Sequence, residues 1–273
     1  MAIGNAIGIP FMQAKAKKYI LDKISGSVAA YSTRLLKASF IGQNVVEVRR
    51  SGDNAILGFK ANEITDGTLA AWANAGTGDG FVATWYDQSG EGNDAEQDTA
   101  NDQPQIVAGG VVQDIEYDGT NDYFDVADSP ELRINEDMTI SLWFKMVDVT
   151  QGSQVLITKD LTNEFEVLYH SENRIVLYQG GDYMSFYPNL SNNVWYHLVI
   201  SRNTAENKVY WYLDGGATTD IINYSTIIGT SFDDIHIGSR GADKYFNGSI
   251  SNVLIFDEAL SEAEIELIYN EGK

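Results

Sequence analysis

Residues 115–146, IEYDGTNDYFDVADSPELRINEDMTISLWFKM, constrain the fold of this chain more than any other stretch. Ile115 and Tyr117 precede, and Tyr123, Phe124 and Val126 follow, the turn-forming run Asp118-Gly119-Thr120-Asn121-Asp122. A strand, a tight bend and a returning strand are predicted, paired as a hairpin. After a polar loop containing Pro130, Met138, Ile140, Leu142 and Phe144 alternate with Thr139, Ser141, Trp143 and Lys145. That is the period of a strand with one buried face, and Trp143 makes the second face apolar too.

Further short strands are predicted at hairpin intervals over 154–158, 165–170, 174–178, 183–187, 194–202, 208–213, 234–238 and 250–256, with no apolar helix between them. Many short strands joined by polar turns give a mainly β fold, an antiparallel two-sheet jelly-roll sandwich with a few short helices. Ser261-Glu262-Ala263-Glu264 is a capping-box sequence with Leu260 and Ile265 placed as a hydrophobic staple, so a short helix ending near Gly272 is expected. Upstream, the residues from Ala29 predict a short helix, then a strand over 45–49, a helix through Leu69, Ala70 and Trp72, and a strand from Phe81 running into a Gly-rich loop. Residues 1–11, MAIGNAIGIPF, mix Ile with Gly and Pro and need a surface to lie on. Residues 13–24 place Ala16, Ile20, Leu21 and Ile24 among Lys15, Lys17, Lys18 and Lys23, predicting a basic amphipathic helix suited to an acidic partner surface.

The 115–146 stretch resembles the opening strands of laminin-G-like domains of the concanavalin A-like lectin/glucanase superfamily, where an aromatic-Asp-Gly turn precedes a strand of the type T-I-S-x-W-F-K. NNVWYHLV at 192–199, VYWYLDG at 209–215, IHIG at 235–238, FNGSISNV at 246–253 and ALSEAEI at 259–265 follow in that family's order. AYSTRLL at 30–36, VRRSGD at 48–53 and YDQSGEGND at 86–94 are similar to segments of glycoside hydrolase family 54 arabinofuranosidases, again within a concanavalin A-like sandwich. The resemblances imply an attachment arm and basic helix over 1–26 and one sandwich over 27–273, family-54-like at 27–110 and laminin-G-like at 111–273. The combination of arm and sandwich looks most like phage virion proteins. It implies a component of the particle, assembled in the host cytoplasm, that joins other virion subunits through its arm and displays a lectin-like domain to cell-surface glycans, with self-association left open. The alternatives are a glycoside hydrolase related to arabinofuranosidases and an architectural decoration subunit without a ligand.

Composition narrows the partners. The formal charge of −21, from 18 basic and 39 acidic residues, opposes binding to nucleic acid phosphates or anionic lipid. No apolar run approaches the roughly 18 residues of a membrane span, no secretion signal is visible, and the absence of cysteine excludes disulfides and thiolate metal sites. A glycosidase needs two carboxylates about 5–5.5 Å or about 6.5–9.5 Å apart. The E-x-D-x-x-E pattern of family 16 glucanases is missing, and the nearest pair, Glu164 and Glu166, is expected as solvated charges on an outward strand face, so no enzyme activity is expected. No cofactor is required. The laminin-G resemblance implies a structural calcium at Asp118 and Asp122, although the family's late G-x-I-D is replaced by Gly248-Ser249-Ile250-Ser251. Alternation buries Val209, Trp211 and Leu213, and so turns Tyr210 and Tyr212 outward beside Trp195 and His197. Those four residues are the expected glycan platform, since aromatic faces stack on pyranose rings.

Overall fold

The computed structural model describes residues 18–76, 78–160, 164–223, 229–241 and 243–272. Its strands are, first, β1 (Ser27–Tyr31), β2 (Val46–Arg50), β3 (Ile56–Phe59), β4 (Gly80–Trp85), β5 (Ala95–Glu96), β6 (Gln105–Ala108) and β7 (Val111–Asp118). Then come β8 (Phe124–Val126), β9 (Met138–Met146), β10 (Gln154–Lys159), β11 (Phe165–His170), β12 (Arg174–Gln179) and β13 (Asp182–Phe186). The last are β14 (Trp195–Asn203), β15 (Lys208–Leu213), β16 (Gly216–Asn223), β17 (Ile235–Ile237) and β18 (Asn247–Phe256). Every pairing is antiparallel. One layer runs β1, β18, β9, β14, β15, β16. The other runs β3, β2, β4, β5, β8, β17, β10, β11, β12, β13. β6 and β7 bridge them, β6 pairing with β4 and β7 with β18.

The inner faces carry the alternation read from the sequence: Ile140, Leu142 and Phe144 on β9, Leu198 and Ile200 on β14, and Val209 and Trp211 on β15 share one core with Phe124, Val126, Phe165 and Val167. Phe59, Leu69 and Trp85, from upstream elements, belong to the same core, and the Trp85 ring lies 5.7 Å from Tyr31 and 5.9 Å from Phe124. Each fully buried side chain of this size contributes about 1.5–3 kcal/mol.

Helix α3 (Glu262–Gly272) forms as expected, with the Ser261 N–H donating to Glu264 Oε2 at 2.9 Å and the Glu264 N–H to Ser261 Oγ at 3.4 Å. It lies over the outer face of the first layer, where Leu260, Ile265 and Ile268 meet Val199, Tyr212, Leu254 and Phe256 in a second core. Helix α2 (Thr68–Asn74) occupies the expected position and is preceded by a short helix α1 (Ala61–Thr65), whose first turn is closed by the Lys60 N–H donating to Glu63 Oε2 at 2.9 Å.

Three expectations differ. The 115–126 segment is a corner between layers, not a hairpin: β7 pairs with β6 and β18, whereas β8 pairs with β5 and β17. The helix predicted from Ala29 begins as strand β1, because Ala29, Ala30 and Tyr31 add to the edge of β18. Residues 1–17, which include the arm and the start of the basic helix, lie outside the described residues. The remainder of the predicted helix forms only one 3₁₀ turn, Ile20–Asp22, with Ile20, Leu21 and Ile24 buried in the second core.

Candidate functional site

The sequence-predicted platform is not an open surface, because two of its four residues are covered. His197 is fully buried, 5.1 Å from the Trp143 ring and 5.6 Å from Tyr269, and its Nε2 lies 2.8 Å from Ser141 Oγ. Burial holds its pKa down at about 4, so it is neutral at pH 7. Tyr212 is buried in the second core under α3. Alternation had placed both correctly on the outer face; the helix laid over that face removes them from solvent. Tyr210 stays half-buried with its hydroxyl on Glu206, and Trp195 is half-buried at the start of β14, where Lys145 Nζ sits 5.1 Å over its ring.

Asp118 and Asp122 organise their own corner. Asp118 Oδ1 accepts from the Thr120 and Asn121 N–H groups at 2.7 and 3.2 Å, and Asp122 Oδ2 accepts from the Asp118 N–H at 2.9 Å. Among the described residues no group of three or more Asp, Glu or His is arranged to hold a metal ion. Burial, with the nearby Asp118 and Asp102 charges, pushes the Asp122 carboxyl up to about 7 against the opposing Asp118 N–H bond. A raised folded-state pKa favours folding below the unfolded value near 3.8, and that contribution is lost as pH rises through about 7. Asp122→Asn keeps the acceptor and removes the charge. Its stability advantage over the parent is expected to grow by about 2 kcal/mol between pH 4.5 and pH 8 in urea titrations, the linkage value of about 3 kcal/mol reduced by solvent screening.

Next to this corner is a groove of about 850 Å³ between the upstream strands and the laminin-G-like strands, lined by residues of β2, β4, β6, β7, β9 and β18 and their loops. Six amides line it, those of Asn54, Asn101, Gln103, Gln105, Asn193 and Asn247, together with the carboxylates of Glu116, Asp118 and Asp122. Arg49 stands 5.0 Å over the Phe81 ring, and Lys145 connects the groove to Trp195. At Gly248 (φ 150°) a Cβ would come within 2.0 Å of the Lys145 carbonyl oxygen, so only glycine lets β18 approach β9 here. Amides offer donors and acceptors together, the set that fixed hydroxyls require. None of the four platform residues lines this groove, and Trp195 is reached from it through Lys145. Of the residues singled out as site candidates in the sequence, Asp118 and Asp122 line it.

Glu164 and Glu166 are not solvated. Both are fully buried: Glu164 faces Lys159 at 3.4 Å and accepts from the Ser231 N–H at 2.8 Å, while Arg240 clamps both Glu166 oxygens at 2.6 Å.

The profile of the concanavalin A-like lectin/glucanases superfamily matches residues 118–266. The fold is similar to the binding domain of botulinum neurotoxin serotype D, with a TM-score of 0.55 and 15% identity over 90% of this chain and 51% of that one. It is also similar to that neurotoxin's ligand binding domain in complex with N-acetylneuraminic acid (TM-score 0.53, 16% identity, 85% and 52% covered). A Trypanosoma rangeli sialidase in complex with sialic acid is similar as well (TM-score 0.52, 14% identity, 68% and 31% covered). At these identities the likeness is one of fold, and the chain spans about half the length of the neurotoxin domains it matches. No curated protein matches the sequence.

Proposed function

The chain belongs to the concanavalin A-like lectin/glucanase superfamily, and from that premise we propose that it is a non-enzymatic glycan-binding protein whose site is the amide-lined groove beside Trp195. One observation carries the reading: an open groove with paired donors and acceptors and flanking rings, in a fold whose neighbours include a domain in complex with N-acetylneuraminic acid. Binding the full chain to a glycan array tests it. Gln105→Ala and Trp195→Ala are expected to weaken the best ligand about tenfold each, on the scale of one lost polar contact or one lost ring. Tyr210→Ala, far along the neighbouring strand, should leave affinity within about twofold. Equal losses at Tyr210 and at the groove would sink the assignment.

We propose further that the protein is a virion component, attached through its N-terminal residues. The support is the apolar 1–11 segment and the lysines around residues 15–23 in a chain of net charge −21. Mass spectrometry of purified particles checks this, with a 1–17 deletion expected to lose incorporation. The deletion stops there because Ile20, Leu21 and Ile24 belong to the second core.

A further inference from the structure

Arg49 lines the groove with its guanidinium held by neutral acceptors. Its Nε donates to Gln103 Oε1 at 2.7 Å, one terminal nitrogen to Asn54 Oδ1 at 3.1 Å and the other to the Ala100 carbonyl at 2.6 Å. Among the described residues no carboxylate forms an ion pair with it, and burial draws its pKa below the usual value with no opposing carboxylate to raise it. The next residue differs: Arg50 is gripped by Asp53 at 3.0 and 2.6 Å. Arg240 is likewise clamped by Glu166. In a protein with 39 acidic residues, a partly desolvated cation without a counter-charge is costly and easily remedied.

The arrangement suits a partner that arrives with its own negative charge. A guanidinium has five N–H groups, and three are engaged, which leaves one on each terminal nitrogen. Two parallel donors are the fork that a carboxylate accepts. Gln103, itself buried, donates to the Gln97 carbonyl at 2.7 Å while it holds Arg49, and the Phe81 ring lies under the guanidinium, so the fork is fixed in advance. Glu116, Asp118 and Asp122 line the same groove. They repel a densely charged polymer but accept hydrogen bonds from sugar hydroxyls.

We propose that the groove selects saccharides bearing isolated carboxylates, of uronate or nonulosonate type, with the carboxylate clamped by Arg49 and the neighbouring hydroxyls held by the amides. This rests on the groove being the glycan site. The test uses the full chain on an array of neutral, carboxylated and sulfated glycans, followed by calorimetry of the strongest carboxylated binder against its methyl ester. The inference expects carboxylated glycans to dominate, the ester to bind about tenfold or more weakly, and a cooperatively folded Arg49→Gln to lose the preference. Should Arg49→Gln fail to fold, the ester comparison on the parent protein decides alone. Binding of neutral glycans only, equal affinity for acid and ester, or a preference for sulfated chains overturns the inference and leaves the glycan reading standing. No binding to any glycan overturns both.

Discussion

Asp87→Ala is expected to destabilise the protein by about 4 kcal/mol, read as a lowered urea midpoint with an unchanged slope. The residue follows β4 and is 2% exposed, and its carboxylate gathers five donors. Oδ1 accepts from the Ala30 and Ser89 N–H groups, both at 2.8 Å. Oδ2 accepts from the Ser89 hydroxyl at 2.5 Å and from the Gly92 and Asn93 N–H groups at 3.0 and 3.1 Å. The amides of Ala30, Ser89 and Asn93 are buried, and each stranded donor costs about 1–3 kcal/mol, less what water entering the space restores. The neighbours work the same way. Gln88 accepts from the Leu36 N–H and donates to the Ser32 and Arg34 carbonyls, and Asn93 Nδ2 donates to the Val28 carbonyl. The 86–94 motif therefore clasps β1 and the segment after it to the loop leaving β4. Asp87→Asn, which retains one acceptor oxygen, should lose about half as much. A loss below about 1 kcal/mol for Asp87→Ala would show that the loop does not depend on this carboxylate.

That clasp shows what sequence patterns disclose and what they hide. Period-two alternation identified the inner residues of β9, β14 and β15, because one buried face suffices to write that pattern. The capping box at Ser261 was legible because all its atoms lie within one turn. The corner at 118–122 was misread because Gly119 (φ 75°) and the Asp side chains provide the same turn chemistry for a hairpin as for a crossing between layers. The distinction lies in partners far along the chain, β18 for one strand and β17 for the other. His197 and Tyr212 were misjudged for a related reason: alternation assigns a face, while what covers that face comes from α3 near the end of the chain. The groove stayed hidden because Arg49, Gln105, Lys145 and Asn247 come from four separate strands.

Buried charge is the other thing the sequence conceals, and Lys159→Met tests it. Lys159 is fully buried at the end of β10, with Nζ 3.1 Å from Asp128, 3.4 Å from Glu164 and 2.9 Å from the Leu132 carbonyl. Arg133 also binds Asp128, so that carboxylate keeps a partner when the lysine is removed. Glu164 does not. Its Oε2 already lacks a hydrogen bond, and burial raises its pKa against the Ser231 N–H and Lys159. Deleting one member of such a pair costs about 3–5 kcal/mol, and the double variant Lys159→Met, Glu164→Leu should recover much of the loss, because a buried pair replaced by apolar side chains is often neutral. Full additivity of the two single losses would refute the coupling. The same geometry bears on hydrolysis. A catalytic carboxyl must face the bond it cleaves, and neither Glu164 nor Glu166 lines the groove at Arg49. Glu164→Gln keeps the Ser231 bond, so it should cost only about 1 kcal/mol. It should leave glycan affinity unchanged, with release of sugar from arabinan and aryl arabinosides at background in variant and parent alike.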